Sequence, residues 1–453
     1  MTAISILGGG CTGPLIALLL QRRGHVVTLY ERRPDPRRHS VPAGRSINLA
    51  LADRGIRALE QAGLMDELRP MLVPMHSRMI HEIGKAPLSL RYGQKPEELL
   101  WSASRAMLHR ALIESAVAAG VECRFGQSLV DADFASDLAT LEDVDSKHRY
   151  SIRMSPVIAA DGAGSVMRKS MMRAGLCSSI EDVSPHSYKE FHIDADPSGA
   201  ARLSPEHLHI WPRGSHMLIA LPNADNSLTA TLFMPTAGAD ASFAALEQAA
   251  DAHAFFEREF PDALALIDDF EKQHLNHPVG RLATVYTNNW HVDSRVLLIG
   301  DAAHGIVPFH GQGLNCCFED CLALDRLLDE HSDWQSAFAA FSAERRPNSD
   351  AIARMAIDNY LEMRDAVRKP SFQLQKELSL ALERRHPKRF IPRYSMVMFH
   401  AEIPYAEAER RGEIQLAILE ETTRGLRSLD EVDLAYADHL VMERLTILAE
   451  RAS

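Results

Sequence analysis

Two short apolar runs near the amino terminus, Ile4-Ser5-Ile6-Leu7 and Val26-Val27-Thr28-Leu29-Tyr30, are separated by a glycine cluster and an apolar stretch of helical length. The pattern predicts strand, glycine turn, helix, strand. Prolines at 34 and 36 end the second strand, and a helical pattern runs through 58–64. Residues 75–101 read as extended, with Arg78-Met79-Ile80-His81 and Leu88-Ser89-Leu90-Arg91-Tyr92 joined by a turn at Gly84 to Pro87. A helix over about 105–119 ends at Gly120, a residue suited to closing a helix in the left-handed conformation. Residues 121–125 form a strand. Alternation over 150–160 finishes in Val157-Ile158-Ala159-Ala160 and meets a second glycine turn, Asp161-Gly162-Ala163-Gly164-Ser165, followed by a helix carrying Val166 and Arg168.

The pattern changes over 181–280. Leu208-His209-Ile210-Trp211-Pro212, Met217-Leu218-Ile219-Ala220-Leu221 and Leu228-Thr229-Ala230-Thr231-Leu232-Phe233 are short strands between turn residues, which predicts an antiparallel sheet; 255–273 predicts a helix. The chain returns to a strand at Val296-Leu297-Leu298-Ile299, then to Gly300-Asp301-Ala302-Ala303-His304 and a helix over about 316–328. The last hundred residues are mainly helical, with an apolar stripe at Leu429, Val432, Tyr436, Leu440, Leu445 and Leu448. The expected fold class is α/β: a Rossmann-like domain at 1–180, with 75–101 lent to a second domain, an antiparallel-sheet domain at 181–280, a return at 281–350, and a helical region at 351–453.

Length and composition suit such a fold: 453 residues, 46% apolar and 24% charged. A net charge of −12 argues against a nucleic-acid surface, which needs clustered Lys and Arg. The six cysteines form no C-x-x-C pair and read as reduced, and no part of the expected chemistry requires a metal. No stretch approaches the roughly 20 apolar residues that span a bilayer, and the first strand begins at residue 3 or 4. The expectation is a cytoplasmic protein without a transmembrane anchor. Oligomeric state is left open, a homodimer included.

Gly8-Gly9-Gly10-Cys11-Thr12-Gly13 gives G-x-G-x-x-G between a strand and a helix, with Glu31 about twenty positions on at the end of the next strand. Gly8 permits the tight turn, Gly10 lets a pyrophosphate approach the backbone, and Gly13 lets the helix pack closely. The helix N-terminus attracts the phosphates, and Glu31 accepts from ribose hydroxyls while disfavouring a 2′-phosphate. FAD or NAD therefore fits this site better than NADP. Arg45, after Gly44 in a loop, faces either an anion or solvent. Two further turns, at Asp161-Gly162 and Gly300-Asp301, also follow strands, where an open α/β sheet binds ligands. One long ligand could touch all three. Asp301 is a candidate contact for that ligand, with an N-cap as its alternative.

This set of motifs resembles the class A flavin-dependent aromatic hydroxylases, with the fold of para-hydroxybenzoate hydroxylase. Within them the sequence resembles the kynurenine 3-monooxygenase family through Gly44-Arg45-Ser46-Ile47-Asn48-Leu49-Ala50-Leu51-Ala52, Leu208 to Pro212, Pro308-Phe309-His310-Gly311-Gln312-Gly313-Leu314-Asn315 and Phe390-Ile391-Pro392-Arg393-Tyr394-Ser395-Met396-Val397. The resemblance covers nearly the whole chain. It implies FAD as cofactor, NADPH and O2 as co-substrates, and L-kynurenine hydroxylated at ring position 3 to 3-hydroxy-L-kynurenine through a flavin C4a-hydroperoxide. It implies that Arg78, Tyr92, Asn359 (in Asp358-Asn359-Tyr360-Leu361-Glu362-Met363) and Tyr394 hold the amino-acid end of the substrate. Implied flavin contacts, beside Gly8, Gly10 and Gly13, are Thr12, Tyr30, Glu31, Arg32, Arg33, Ala50, Arg105, Leu129, Val166, Asp301, Leu314 and Asn315. No obligatory acid–base residue is expected; His310, Gln312 and Asn48 are candidates for lining the reaction chamber, with loop packing as the alternative. Rival readings are a sister hydroxylase for another tryptophan-derived or anthranilate-like aromatic, and a non-catalytic flavin sensor.

Overall fold

The computed structural model describes residues 2–38, 48–238, 240–362 and 370–448. Arg45, with Gly44, Ser46 and Ile47 of its motif, and Met363 lie outside the described residues. The first apolar run is β1 (Ala3–Leu7), the glycine turn leads to helix α1 (Thr12–Arg22), and the second run is β2 (Val26–Glu31). All three are nearly continuous in apolar residues because they are covered on every side: Ile6, Leu15, Ile16, Leu20 and Leu29 have no exposed surface. Burial of each such side chain contributes about 1.5–3 kcal/mol.

β1 lies inside a six-stranded sheet, in the order His291–Val292, Val296–Leu298, Val157–Ala159, β1, β2, Glu122–Phe125. Every pair is parallel except the first. The three strands that precede the three glycine motifs are therefore immediate neighbours, and their C-terminal ends form one edge.

The second large sheet has seven strands, ordered Gly280–Thr287, Ser179–Ile193, Leu228–Pro235, Met217–Pro222, His207–Pro212, Ser77–Ile80, Leu88–Arg91. It is antiparallel apart from one junction, where His207–Pro212 runs parallel to Ser77–Ile80. That departure from the expected antiparallel sheet arises because Ser77–Ile80 arrives from an earlier excursion of the chain, so a long crossover can set its direction. Period-two alternation gives the sheet two faces. Phe191, Trp211, Leu218, Ala220, Ala230 and Leu232 pack under helices; Ile80, Ile210, Met217 and Phe233 point the other way, to Phe309 and Tyr360.

Several expectations are corrected. The helix expected over 255–273 is three pieces, Ala249–Glu259, Pro261–Leu264 and Phe270–Asn276. Pro261 cannot continue a helix from its N-terminal side, and Asp269 takes a left-handed φ of 51°. Leu49–Leu51 is a strand paired with Leu100–Ala103, and the helix α2 (Asp53–Gln61) starts only afterwards. A three-stranded sheet of Gln127–Asp133, Leu138–Asp143 and Arg149–Arg153 was not anticipated. The carboxy-terminal stripe is split: Val432, Leu440 and Leu445 are buried, but Tyr436 lies outward on the Leu434–Arg444 helix and donates to Glu421.

Candidate functional site

The first turn is built by steric necessity. Gly8 has φ +105°, and a Cβ there would lie 2.3 Å from the Ala160 carbonyl oxygen; one on Gly13 would lie 1.9 Å from that of Gly8. Gly10 faces open space, the room a pyrophosphate needs. Glu31, 4% exposed, accepts from Gly9 N at 2.6 Å and Arg33 N at 2.8 Å. Burial opposes its charge, but Arg33 and these N–H groups outweigh burial and hold the carboxyl below its ordinary range. No side chain caps α1, so its first-turn N–H groups are left to a ligand.

The other two glycine motifs meet this turn. Asp161 accepts from Ser165 Oγ at 2.6 Å and Val166 N at 2.7 Å, so it orders the start of the Val166–Arg173 helix. Arg168, buried, donates to the carbonyls of Ala163 and, at 2.7 Å, Ala302 and so ties the second motif to the third. Gly300 has φ +61°, and a Cβ on it would lie 3.0 Å from Thr12 Oγ1. The Asp301 carboxylate accepts from Cys317 Sγ at 3.5 Å, and no side chain caps the Gly300–Ala302 turn. At the start of the Gly313–Glu330 helix, which also lacks a side-chain cap, Asn315 donates to the carbonyls of Ala50 and Gly311 and accepts from Ala52 N, all within 2.9 Å. Its side chain is thus engaged in clipping Leu49–Leu51 to the helix, leaving the backbone N–H groups of Leu314 and Asn315 to face a ligand.

The strand edge therefore gathers Gly8, Gly10, Thr12, Gly13, Glu31, Ala50, Asp301, Leu314 and Asn315. Tyr30 is buried beside Arg124, while Arg32, Arg33 and Arg105 are exposed cations near the same edge of the chain's turns. Leu129 is placed differently: it is buried in the three-stranded sheet opposite Leu141. The open turn, the buried acceptor and the two uncapped helix ends match FAD in chemistry: phosphates, ribose hydroxyls and a ring that becomes anionic on reduction.

On the second sheet, Arg78 points away from the helix layer. Its guanidinium carbon lies 4.5 Å from the Tyr394 ring centroid and 5.6 Å from that of Tyr92, and the two tyrosine rings are stacked 6.2 Å apart. Arg78 Nε and the Tyr92 hydroxyl are buried with no hydrogen-bond partner among the described residues. Asn359 donates to the Phe309 carbonyl at 2.8 Å. Phe309 stacks on Tyr360 at 3.8 Å, and His310 on Tyr394 at 5.5 Å. Burial, with Arg393 and Arg78 nearby, pushes the His310 imidazole down to about 3, so it is neutral at physiological pH. Of the chamber candidates only His310 keeps a free buried nitrogen, Nδ1. Gln312 accepts from Tyr405 Oη at 2.8 Å and donates to Met398 Sδ. Asn48 donates to Asn223 at 2.7 Å and accepts from Thr229. Both amides are thus engaged by neighbouring side chains.

Residues 1–356 match the family described as FAD binding domain. The kynurenine 3-monooxygenase of Stenotrophomonas maltophilia (strain K279a) is 47% identical over 448 residues, 98% of both chains. The chain belongs to the kynurenine 3-monooxygenase family. It is accordingly a flavin-dependent monooxygenase with FAD as cofactor. A second family member, from Xanthomonas euvesicatoria pv. vesicatoria (strain 85-10), is 46% identical over 98% of this chain and 97% of its own. The fold is shared with a tetrameric form of 2-methyl-3-hydroxypyridine-5-carboxylic acid oxygenase, at TM-score 0.66, 20% identity, 82% of this chain and 94% of that one. It is also shared with P. aeruginosa PqsL in complex with 2-aminobenzoylacetate, at TM-score 0.63, 22% identity, 81% of this chain and 97% of that one. No helix among the described residues is long and apolar enough to cross a membrane.

Proposed function

We propose that this protein hydroxylates L-kynurenine at ring position 3, consuming NADPH, a proton and O2 and releasing 3-hydroxy-L-kynurenine, NADP+ and water. The observation that carries the reading is the Arg78 guanidinium between Tyr92 and Tyr394, with Arg78 Nε and the Tyr92 hydroxyl lacking partners among the described residues. A buried cation and donor without an acceptor suit a carboxylate. The apolar wall of Ile80, Ile210, Met217 and Phe233 on the same sheet face, with Phe309 of the Pro308–His310 turn packed against it, suits an aromatic ring. Kynurenine carries both parts, and the family relatives bear its name.

FAD, when bound, supplies the hydride acceptance and oxygen activation that side chains cannot. Glycines 8, 10 and 13, Thr12, Glu31, Asp301 and the N–H groups of Leu314 and Asn315 would hold it, with Tyr30, Arg32, Arg33, Ala50 and Arg105 around them and Leu129 and Val166 as more distant supports. Arg78 forks onto the substrate carboxylate, Tyr92 and Tyr394 complete its hydrogen bonds, and Asn359 fixes the backbone of Phe309 under the ring. The apolar wall excludes water, which protects the oxygen-transfer step from hydrolytic loss. Neutral His310 lines the chamber as a hydrogen-bonding group.

Incubation of the purified protein with kynurenine, NADPH and O2 should give one hydroxylated product per NADPH oxidised, identified by a mass gain of one oxygen atom. NADPH oxidation that yields product only with a different aminoaryl compound would replace kynurenine as substrate.

A further inference from the structure

The three glycine motifs are held by contacts on their far side from the ligand edge, and one of these contacts is unusual. Asp320, on the Gly313–Glu330 helix, has no exposed side-chain surface. One carboxylate oxygen accepts from Gly300 N at 3.1 Å and from His304 Nε2 at 2.6 Å; the other accepts from Arg345 Nε at 2.7 Å. Asp320 thus grips both ends of the Gly300-Asp301-Ala302-Ala303-His304 turn from behind. Arg345 also pairs with Glu319 at 2.7 Å, and Glu319 pairs with Arg54 of α2 at 2.5 Å. Arg54 donates to the carbonyls of Val397, His400 and Ile403, and its guanidinium lies 3.9 Å from the Tyr405 ring centroid. Two arginines and two carboxylates form one buried chain from the carboxy-terminal helices to the third glycine motif.

His304, Cys316 and Asp320 bring ligand atoms within 4.8 Å of one another, a spacing that suits a metal. The guanidinium of Arg345 excludes one: it occupies an Asp320 oxygen and reaches Cys316 Sγ at 3.6 Å. Nor is stability a sufficient reason for these charges, since apolar packing of equal volume is often as stable as a buried ion chain. What the charges add is direction. Gly300 takes a left-handed φ of 61° with its peptide N–H aimed at Asp320, which fixes the backbone from which the next side chain, Asp301, departs; its carboxylate lies beside Thr12's turn and the first turns of the helix, 3.5 Å from Cys317 Sγ.

We propose that Asp320 is a positioning residue for FAD: it sets the Gly300–His304 turn so that Asp301 meets the cofactor, and Arg345, Glu319 and Arg54 make that setting depend on the docked carboxy-terminal helices. The proposal rests on Asp301 facing the flavin. Full-length protein is stripped of flavin and titrated with FAD, following flavin fluorescence, and melted with and without FAD. Asp320→Asn keeps the side chain's size but removes the charge, and raises the FAD dissociation constant about tenfold, the loss of one charge-assisted bond. The holoprotein's absorption spectrum shifts with it. An Asp320→Asn protein that binds FAD within twofold of the parent, with only its apo melting temperature lowered, overturns the proposal and leaves a structural role. If that variant does not fold, His304→Gln is read in its place: weakened FAD binding supports the grip, and unchanged binding overturns it. Asp301→Ala separates the two levels. Unchanged FAD binding there removes Asp301 from the cofactor and the proposal with it, whereas weakening in Asp301→Ala but not in Asp320→Asn overturns the proposal alone.

Discussion

A guanidinium enclosed by two aromatic rings is stabilised by their faces but still needs an acceptor in the plane of its N–H groups. Arg78 makes no ion pair with any described carboxylate, which leaves room for a carboxylate from a substrate. Arg78→Met keeps the stem and loses the fork. The expected outcome is a KM for kynurenine raised roughly 100-fold, about 3 kcal/mol, at unchanged FAD content; steady-state kinetics beside a flavin absorbance ratio measure both, and an unchanged KM removes Arg78 from the substrate. Little of this was legible from Ser77-Arg78-Met79-Ile80 itself. Alternation shows which residues share a face, not what the face meets, and Tyr394 comes from over three hundred positions away. Gln312 and Asn48 show the same limit from the other side: their type suits a reaction chamber, but neighbours remote in sequence occupy their amides.

Among elements, the strand–turn–helix units were readable because their causes are local: an apolar strand, a glycine needed for close approach, a helix pattern beginning at once. The long Ser179–Ile193 strand was not readable. It carries charges and Pro185, and its pairing slips between Val183 and Ser187; its identity comes from two flanking strands. The same sheet makes a measurable prediction. Burial, outweighing the Ser204 carbonyl contact, pushes His209 down to about 4, and burial against Phe255 and Phe260 does the same to His216. A histidine neutral in the fold but protonated when unfolded contributes stability fully present above its unfolded value near 6.5, and lost as pH falls from there to about 4. Stability should therefore fall between pH 6.5 and 4 by up to about 3 kcal/mol for each of the two. Urea midpoints across that range test this, and His209→Gln should flatten the curve; a pH-independent midpoint would contradict the buried neutral state.

At the scale of the whole molecule, Arg54 joins parts of the chain that the sequence leaves unconnected. It has no exposed side-chain surface, although it sits between charged neighbours in a helix that carries Asp53, Arg57 and Glu60. Arg54→Met would leave Glu319 with one cation in place of two and free four carbonyls between 397 and 403. The expected cost is about 3 kcal/mol of stability, with faster proteolytic cleavage within 370–448 than in the glycine-motif domain; equal cleavage rates would mean that the carboxy-terminal helices are held by their own core alone. By itself the amino-acid sequence determined the α/β class, the three glycine turns and the acid at the end of β2, because those follow from steric limits and periodicity within some thirty residues. Only the tertiary structure decided which charged residues are buried, which amides are already engaged and which cation lacks a partner. Those properties depend on desolvation and on hydrogen-bond geometry between residues hundreds of positions apart, and no local pattern encodes them.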